Sequence, residues 1–453
     1  MNGTFKRTER DYGVETLRYD GEQVWSYLRT YYFWHSIRNI TGEYALQNRQ
    51  SLLKKGLKAL REAFYGFSNW FRRYDYLVFS NTQSRFAYHG IYREKAFEEL
   101  IALLGEERCL YIDLPNPDHL PRNRVSTKRI VSKRLLDLTA GLFILAAKRL
   151  GGRIEIPLLD TINRDNATSF DYASFIRAFN VRKRVYRFLF SLYRPKAVFV
   201  SCYDSDQAIL KAASELGIKT IEAQHSAIGS EHFAYNLLKP LDPSYFPDVL
   251  LAFGEYDRHA LENTPNNPIA RIYPVGRYQL ELMAREPVPE ELLDLGDKYR
   301  LRVSVSTQYT VEKKLALFIR DLARIHRDIV FMFSLRHFDR DYYEEFGMGP
   351  NVYLFKDEYS CYDVMRASDI HMTCYSTCAQ EALFFGKIAI LADIDALATN
   401  FMGSMKSPNI RIVRDAQEFA EAAESPFAQE VSPLWATPHT RRLEAFIQNE
   451  IRN

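Results

Sequence analysis

Cysteine is scarce in this sequence: Cys109, Cys202, Cys361, Cys374 and Cys378 are its full complement. They are odd in number and widely spread. Cys374 and Cys378 have no His or Cys partners at a zinc-site spacing, so no metal finger is visible in the spacing. Free buried thiols of a reducing cytoplasm are expected. Net charge is scarce too. At +3, basic and acidic residues nearly cancel, and nucleic acid is not expected as a partner. Basic residues are denser in the first half (Lys128-Arg129, Lys133-Arg134, Arg182-Lys183-Arg184), which leaves a peripheral membrane contact or an anionic acceptor open. Long apolar runs are lacking as well. The most apolar stretch, 135–147, contains Asp137, is flanked by Lys and Arg, and falls short of the ~20 residues of a membrane span. A buried helix is expected there. The N-terminal MNGTFKRTERDYG has no signal-peptide pattern, and no tandem repeat or low-complexity tract is found. A soluble cytoplasmic protein is expected, at most peripheral on the inner face of the membrane.

What is present is length and alternation. A chain of 453 residues, 47% apolar, exceeds one ordinary core, and two domains of roughly 200 residues are expected. Its 29 Tyr and 30 Phe suit core and surface, and also carbohydrate or nucleotide contact. Residues 1–74 carry aromatic and apolar residues at helical spacing (Trp25, Leu28, Tyr32) and read as a helical N-terminal extension, a decoration that offers an oligomer or acceptor surface. In 75–240, apolar strands at 76–80, 109–112, 196–201 and 219–222 alternate with helical patterns at 127–150, 171–192 and 205–216. The Pro-containing stretch 236–246 reads as a link. In 241–425 the alternation restarts with strands at 249–253, 270–275, 302–306, 329–333, 352–355, 370–373, 388–391 and 410–413. Residues 426–453 form a Pro- and Ser-rich loop and a last helix. The fold class is α/β: two Rossmann-like doubly wound domains, their C-terminal strand edges facing a cleft.

Strand-end turns carry the candidate chemistry. Tyr375, Ser376 and Thr377 stand where a strand meets a helix. Their hydroxyls and the free N–H groups of a first turn suit a phosphate oxygen, and equally cap the helix. Glu381, about one turn on, can accept from ribose hydroxyls or compensate the helix dipole. Gly254, Gly276 and the turn Ser306-Thr307-Gln308 are expected to converge on the same edge, with Gly permitting close backbone approach. Arg336 and His337, after a further strand, can neutralise a departing phosphate. On the first domain, His225 ends a buried strand and points to the cleft. Asp204 can serve as general base or cap the next helix, and Glu231 is a further carboxylate near the same edge. No carboxylate cluster demands Mg²⁺, and no metal site is expected.

The order of these pieces resembles bacterial glycosyltransferases of two-Rossmann GT-B architecture that build capsule and lipopolysaccharide. Gln224-His225-Ser226 is similar to a Gln-His-Gly strand end of those enzymes, with Ser226 in place of Gly. Phe246-Pro247-Asp248 and Phe253-Gly254 resemble their domain-entry segment, and Tyr273-Pro274-Val275-Gly276 is similar to their next strand end. Ser306-Thr307-Gln308 resembles their Ser/Gly turn, and Tyr375-Ser376-Thr377 with Glu381 and Phe385-Gly386 resembles their donor-site helix. Leu335-Arg336-His337 stands where sialyl- and Kdo-type transferases carry Leu-His-Pro, so Arg336 fills the usual His position. The resemblance covers roughly 75–425. It implies metal-independent transfer from a nucleotide sugar, a co-substrate rather than a cofactor, with CMP favoured over UDP, onto a saccharide or glycolipid acceptor. Two alternatives share the architecture: a nucleotide-sugar 2-epimerase or polyol-phosphate transferase, and an inactive nucleotide-sugar-binding subunit. The oligomeric state is not implied.

Overall fold

The structure is a computed structural model and describes all residues except 1–2, 42–51, 117, 229–231, 296–297, 337, 404, 406, 430–433 and 453. Two hairpins stand apart from its main sheets: β1 (Arg18–Tyr19) with β2 (Glu22–Gln23), and β4 (Arg85–Tyr88) with β5 (Ile91–Glu94). The first main sheet contains β3 (Tyr76–Asn81), β6 (Cys109–Leu114), β7 (Ile130–Ser132), β8 (Ala197–Val200), β9 (Lys219–Ala223), β10 (Val249–Ala252) and β11 (Arg271–Pro274). The second contains β12 (Leu301–Ser306), β13 (Ile329–Ser334), β14 (Val352–Phe355), β15 (Ile370–Thr373), β16 (Ile388–Ala392) and β17 (Ile410–Val413).

Both sheets are parallel throughout and wound the same way. The first runs β11-β10-β9-β8-β3-β6-β7 and the second β14-β13-β12-β15-β16-β17. Each begins at its middle, steps outward twice, then crosses over and steps outward on the other side. The strand order therefore reverses between β3 and β8 in one sheet and between β12 and β15 in the other. Strands such as β8 (AVFV) and β16 (IAILA) are buried at every position, as a parallel sheet covered on both faces requires.

Two strands lie in a different sheet from the one expected. Residues 249–252 and 271–274 extend the first sheet, through Val249 beside Ile221 and Val249 beside Arg271. The apolar run Val249-Leu250-Leu251-Ala252 fits the edge of β9, whose backbone groups would otherwise go unpaired. The expected link at 236–246 is thus an internal loop of the first domain, and Gly254 and Gly276 stand at the first sheet's edge. The chain then enters the second sheet after helix Tyr278–Arg285 and returns through Trp435 to helix His439–Ile447, whose Leu443 and Phe446 pack in the first sheet's core.

The N-terminal segment is part of that core and not an appendage. Trp25, Tyr27, Leu28, Tyr32 and Phe33 of helix Trp25–Thr41 are buried with Leu77, Val198 and Leu210. The ring of Tyr27 stacks on Phe179 at 3.8 Å. Arg29, itself buried, pairs with Glu9 at 2.8 Å and donates to the carbonyl of Phe233 at 2.6 Å. The residues at 130–132, expected within a helix, form an edge strand instead; Ile130 and Val131 favour the pleated surface. Helix Arg134–Leu150 follows, and the expectation that it is buried fails: Ala140 is its one buried residue.

Candidate active site between two strand edges

At the second sheet's switch point the two strand-end turns are spliced together by hydrogen bonds. His371 of β15 reaches across to β12, one ring nitrogen 2.9 Å from Ser304 Oγ and the other 3.0 Å from Ser306 Oγ. Burial drives this imidazole down to about 3, so it stays neutral. The Thr373 hydroxyl donates to the Ser306 carbonyl at 2.9 Å, and the Tyr375 amide to Gln308 Oε1 at 2.9 Å. Tyr375 and Thr310 share a further hydroxyl contact. Ser306 and Gln308 therefore shape the turn, and Thr307 lies buried between them. Ser376 Oγ accepts from the Cys378 amide at 3.2 Å at the start of helix Cys378–Phe384, whose N-cap is Thr377, and Ser376 itself remains partly exposed.

Cations approach this edge from both domains. Arg336, after β13, is exposed. Lys95, at the end of hairpin β4–β5, belongs to the first domain. The Cys361 thiol, raised by desolvation and by Cys378 and Glu381, is drawn back down by both Lys95 and Arg336. Residue types suited to a phosphate thus occur on this side of the sheet: hydroxyls of Ser376 and Thr377 at the turn, and the charges of Arg336 and Lys95, both felt at Cys361.

The first sheet's switch point is of another kind. Tyr203-Asp204-Ser205 forms a short 3-10 turn after β8, and His225 follows β9. The Cys202 thiol donates to Asp204 Oδ1 at 2.7 Å, and His225 Nε2 lies 3.5 Å from Cys202 Sγ. Behind them Glu222, fully buried, sits 3.8 Å from His225 Nδ1 and accepts from the Tyr203 amide and the Tyr235 hydroxyl, each at 3.0 Å. Burial pushes Glu222 up to about 8, keeping it protonated at neutral pH. Burial also lowers His225 below the ordinary histidine range, against the pull of Asp204. His225 keeps 35% of its side-chain surface exposed. A neutral ring with an open face can take up a proton.

Atoms of Cys202, Asp204 and His225 all lie within 4.8 Å of one another, and this is the donor set among the described residues that could take a metal such as zinc. Asp204 and Asp206 stand at Asp-x-Asp spacing, yet they part company. Asp206 is held by Lys133 at 2.9 Å and by the Tyr186 hydroxyl at 2.6 Å.

One buried arginine joins the two edges. Arg277, directly after Gly276, places Nη1 3.3 Å from Glu381 Oε1 and donates from Nη2 to the Gln224 carbonyl at 3.0 Å. Its guanidinium lies 4.4 Å over the Phe253 ring. The Tyr362 hydroxyl takes the other Glu381 oxygen at 3.1 Å. Glu381, expected on a ribose, is a buried partner of the domain interface. The pair ties His225's neighbour on one sheet to the helix after Tyr375-Ser376-Thr377 on the other.

The two glycines have structural tasks. Gly276 has φ +76, and a Cβ there would strike the Ala436 carbonyl of the returning C-terminal segment. Gly254 is extended and precedes helix Glu255–Glu262. Ser226, in place of an expected Gly, is absent from the residues with positive φ, so the exchange costs no backbone strain; its hydroxyl meets His232 Nε2 at 3.3 Å. Glu231 and His337 lie outside the described residues. Sequence reasoning missed Arg277, Lys95, Cys202, Glu222 and His371. A His amid Ile370, Met372 and Thr373 in an apolar strand was a usable signal for the last. The others carry no local pattern.

No protein-family model and no curated protein matches the sequence. Among solved structures, the chain is similar to a putative UDP-N-acetylglucosamine 2-epimerase from Listeria monocytogenes, at 11% identity and a TM-score of 0.49 over 83% of this chain and 96% of that one. It is also similar to the UDP-GlcNAc 2-epimerase of Neisseria meningitidis bound to UDP-GlcNAc, at 14% identity and 0.46 over 83% and 100%. A third likeness is the α,α-trehalose-phosphate synthase (UDP-forming) of Burkholderia vietnamiensis, at 14% and 0.42 over 84% and 95%. These are likenesses of overall shape alone.

Proposed function

We propose that the protein is a glycosyltransferase of the GT-B kind. It moves a sugar from a nucleotide donor held at the second switch point to an acceptor held at the first. The observation that carries this reading is the Arg277 bridge, which sets a hydroxyl- and cation-lined edge against an edge bearing His225 and Asp204. Ligands of open α/β sheets bind outside the strand ends at such reversals of order. In the reaction, an acceptor hydroxyl oxygen bonds to the anomeric carbon. The bond from that carbon to the donor phosphate breaks, and its electron pair leaves with the phosphate. Arg336 and Lys95 offset the charge that develops there. The hydroxyl proton passes to the neutral His225 ring, whose positive charge Asp204 then balances. Arg336 acts by charge alone.

The motif likeness favours a CMP-sugar over a UDP-sugar, and a surface saccharide or glycolipid as acceptor. The test is a thermal-shift screen with CMP, UDP, GDP and TDP, followed by transfer assays with the nucleotide that binds. A clear rise in melting temperature with one of them is expected. No rise with any would sink the reading, and interconversion of a nucleotide sugar without acceptor would make the protein an epimerase.

A further inference from the structure

The most apolar stretch of the chain lies at the surface. In helix Arg134–Leu150, Leu142 is 71% exposed, Phe143 58%, Leu145 62% and Leu150 88%. Its neighbour, helix Tyr172–Tyr193, buries one side against the first sheet and leaves Phe188 68% and Leu192 64% exposed, one turn apart. On its other flank, helix Leu52–Ala63 adds exposed Leu57 and Leu60, with Phe64 just beyond its end. The three helices pack side by side, Leu52–Ala63 on Arg134–Leu150 and that helix on Tyr172–Tyr193. More than half of the large apolar side chains left exposed in the described residues belong to this one layer and its 3-10 continuation at Phe71. Isolated exposed leucines need no explanation; a continuous tract does.

Its rim is basic. Lys148 and Arg149 occupy the last turn before Leu150, Arg184 stands one turn before Phe188, and Arg72 and Arg73 follow Phe71, all exposed. We propose that this helical layer docks on an anionic lipid surface, its Leu and Phe side chains entering the headgroup boundary and its Lys and Arg meeting lipid phosphates. No helix of the described residues is long and apolar enough to cross a membrane, so the layer lies in the plane. Charge decides between a membrane and a second copy of the chain. A two-fold dimer would press the patch against itself, setting a rim that carries Arg149, Arg184 and Arg73 against an equally basic rim. An anionic surface complements them. The inference goes beyond the cleft and does not depend on its chemistry.

Co-sedimentation of the full chain with vesicles tests it, using phosphatidylcholine alone and phosphatidylcholine mixed with phosphatidylglycerol. Binding to the mixed vesicles is expected to be at least about tenfold tighter and to weaken at high salt. The triple variant Leu142→Ser, Phe143→Ser, Phe188→Ser should lose about tenfold or more of that binding with an unchanged melting temperature, since these side chains are exposed. Equal binding by variant and parent, or no binding by the parent, overturns the proposal. So does a dimer, seen by light scattering, that the same substitutions dissolve; that result assigns the patch to a second copy.

Discussion

The two strand edges are built on one topology and carry opposite chemistry. At the first, acids and imidazoles are desolvated: Glu222 rises to about 8, Asp257 of helix Glu255–Glu262 to about 7, and His232 falls to about 4. Burial thus favours the neutral form of all three. At the second, Ser376 and Thr377 supply hydroxyls and Arg336 an exposed charge, and a buried imidazole, His371, serves to hold two strands together. A shared winding places loops, but the side chains on them decide the task. The proposed function asks the first edge to move a proton and the second to hold an anion.

The sharpest way to break this contrast is at His225. His225→Ala should lower turnover about 10²–10⁴-fold, the usual worth of a positioned base, while the nucleotide still raises the melting temperature. Loss of nucleotide binding together with activity would place His225 on the wrong side of the cleft. Next in size is the bridge. Arg277→Ala strands a buried Glu381 and should cost about 3–5 kcal/mol in denaturant unfolding. Joint replacement with Glu381→Leu should recover much of that, because no charge is then left unpaired. An Arg277→Ala variant as stable as the parent would deny the two edges their fixed relation.

A smaller effect is expected at Arg336. Arg336→Ala should weaken nucleotide binding about tenfold or more, from the loss of a charged hydrogen bond worth about 1.5–3 kcal/mol. Arg336→Lys should retain part of it, and calorimetric titration reads both. Smaller still is the pH effect of Glu222. Burial raises it from the usual 4.5 to about 8, so between those values the folded chain holds a proton that the unfolded chain has released. Its contribution is complete below the lower value and is lost as pH rises through the upper one. Glu222→Gln, neutral at every pH, should flatten the fall of melting temperature over that window, leaving the share of Asp257. A curve identical to the parent's would mean that Glu222 is ionised. Dialysis against a chelator should change turnover least, since the proposed proton transfer needs no metal. Activity lost and then restored by zinc would instead turn Cys202, Asp204 and His225 into ligands.

Much of the architecture is written locally. Runs such as Ala197-Val198-Phe199-Val200 and Ile388-Ala389-Ile390-Leu391 can be satisfied in few ways other than as buried parallel strands. Polar turns after them mark the strand ends where ligands gather, and His225 and Ser376 stand out on that ground. Sheet membership is not written there. Val249-Leu250-Leu251-Ala252 reads the same whichever sheet it joins, and pairing with β9 is a choice made by the whole chain. The burial of a helix is not written either. The 135–147 stretch is apolar enough for a core, but the layer it joins leaves Leu142 and Phe143 exposed among the described residues.

What the sequence determined by itself was the repertoire: alternating strands and helices, two sheets, and the turns that end each strand. Hydrophobic period and turn chemistry act over a few residues, so they can be read from neighbours in the chain. What tertiary structure alone decided was company. Arg277 meets Glu381 across 104 positions, and Cys202 meets His225 across 23. Such meetings set which carboxylates stay protonated and which arginine is spent on the interface. They depend on distances through space and on the removal of water, which no spacing along the chain records.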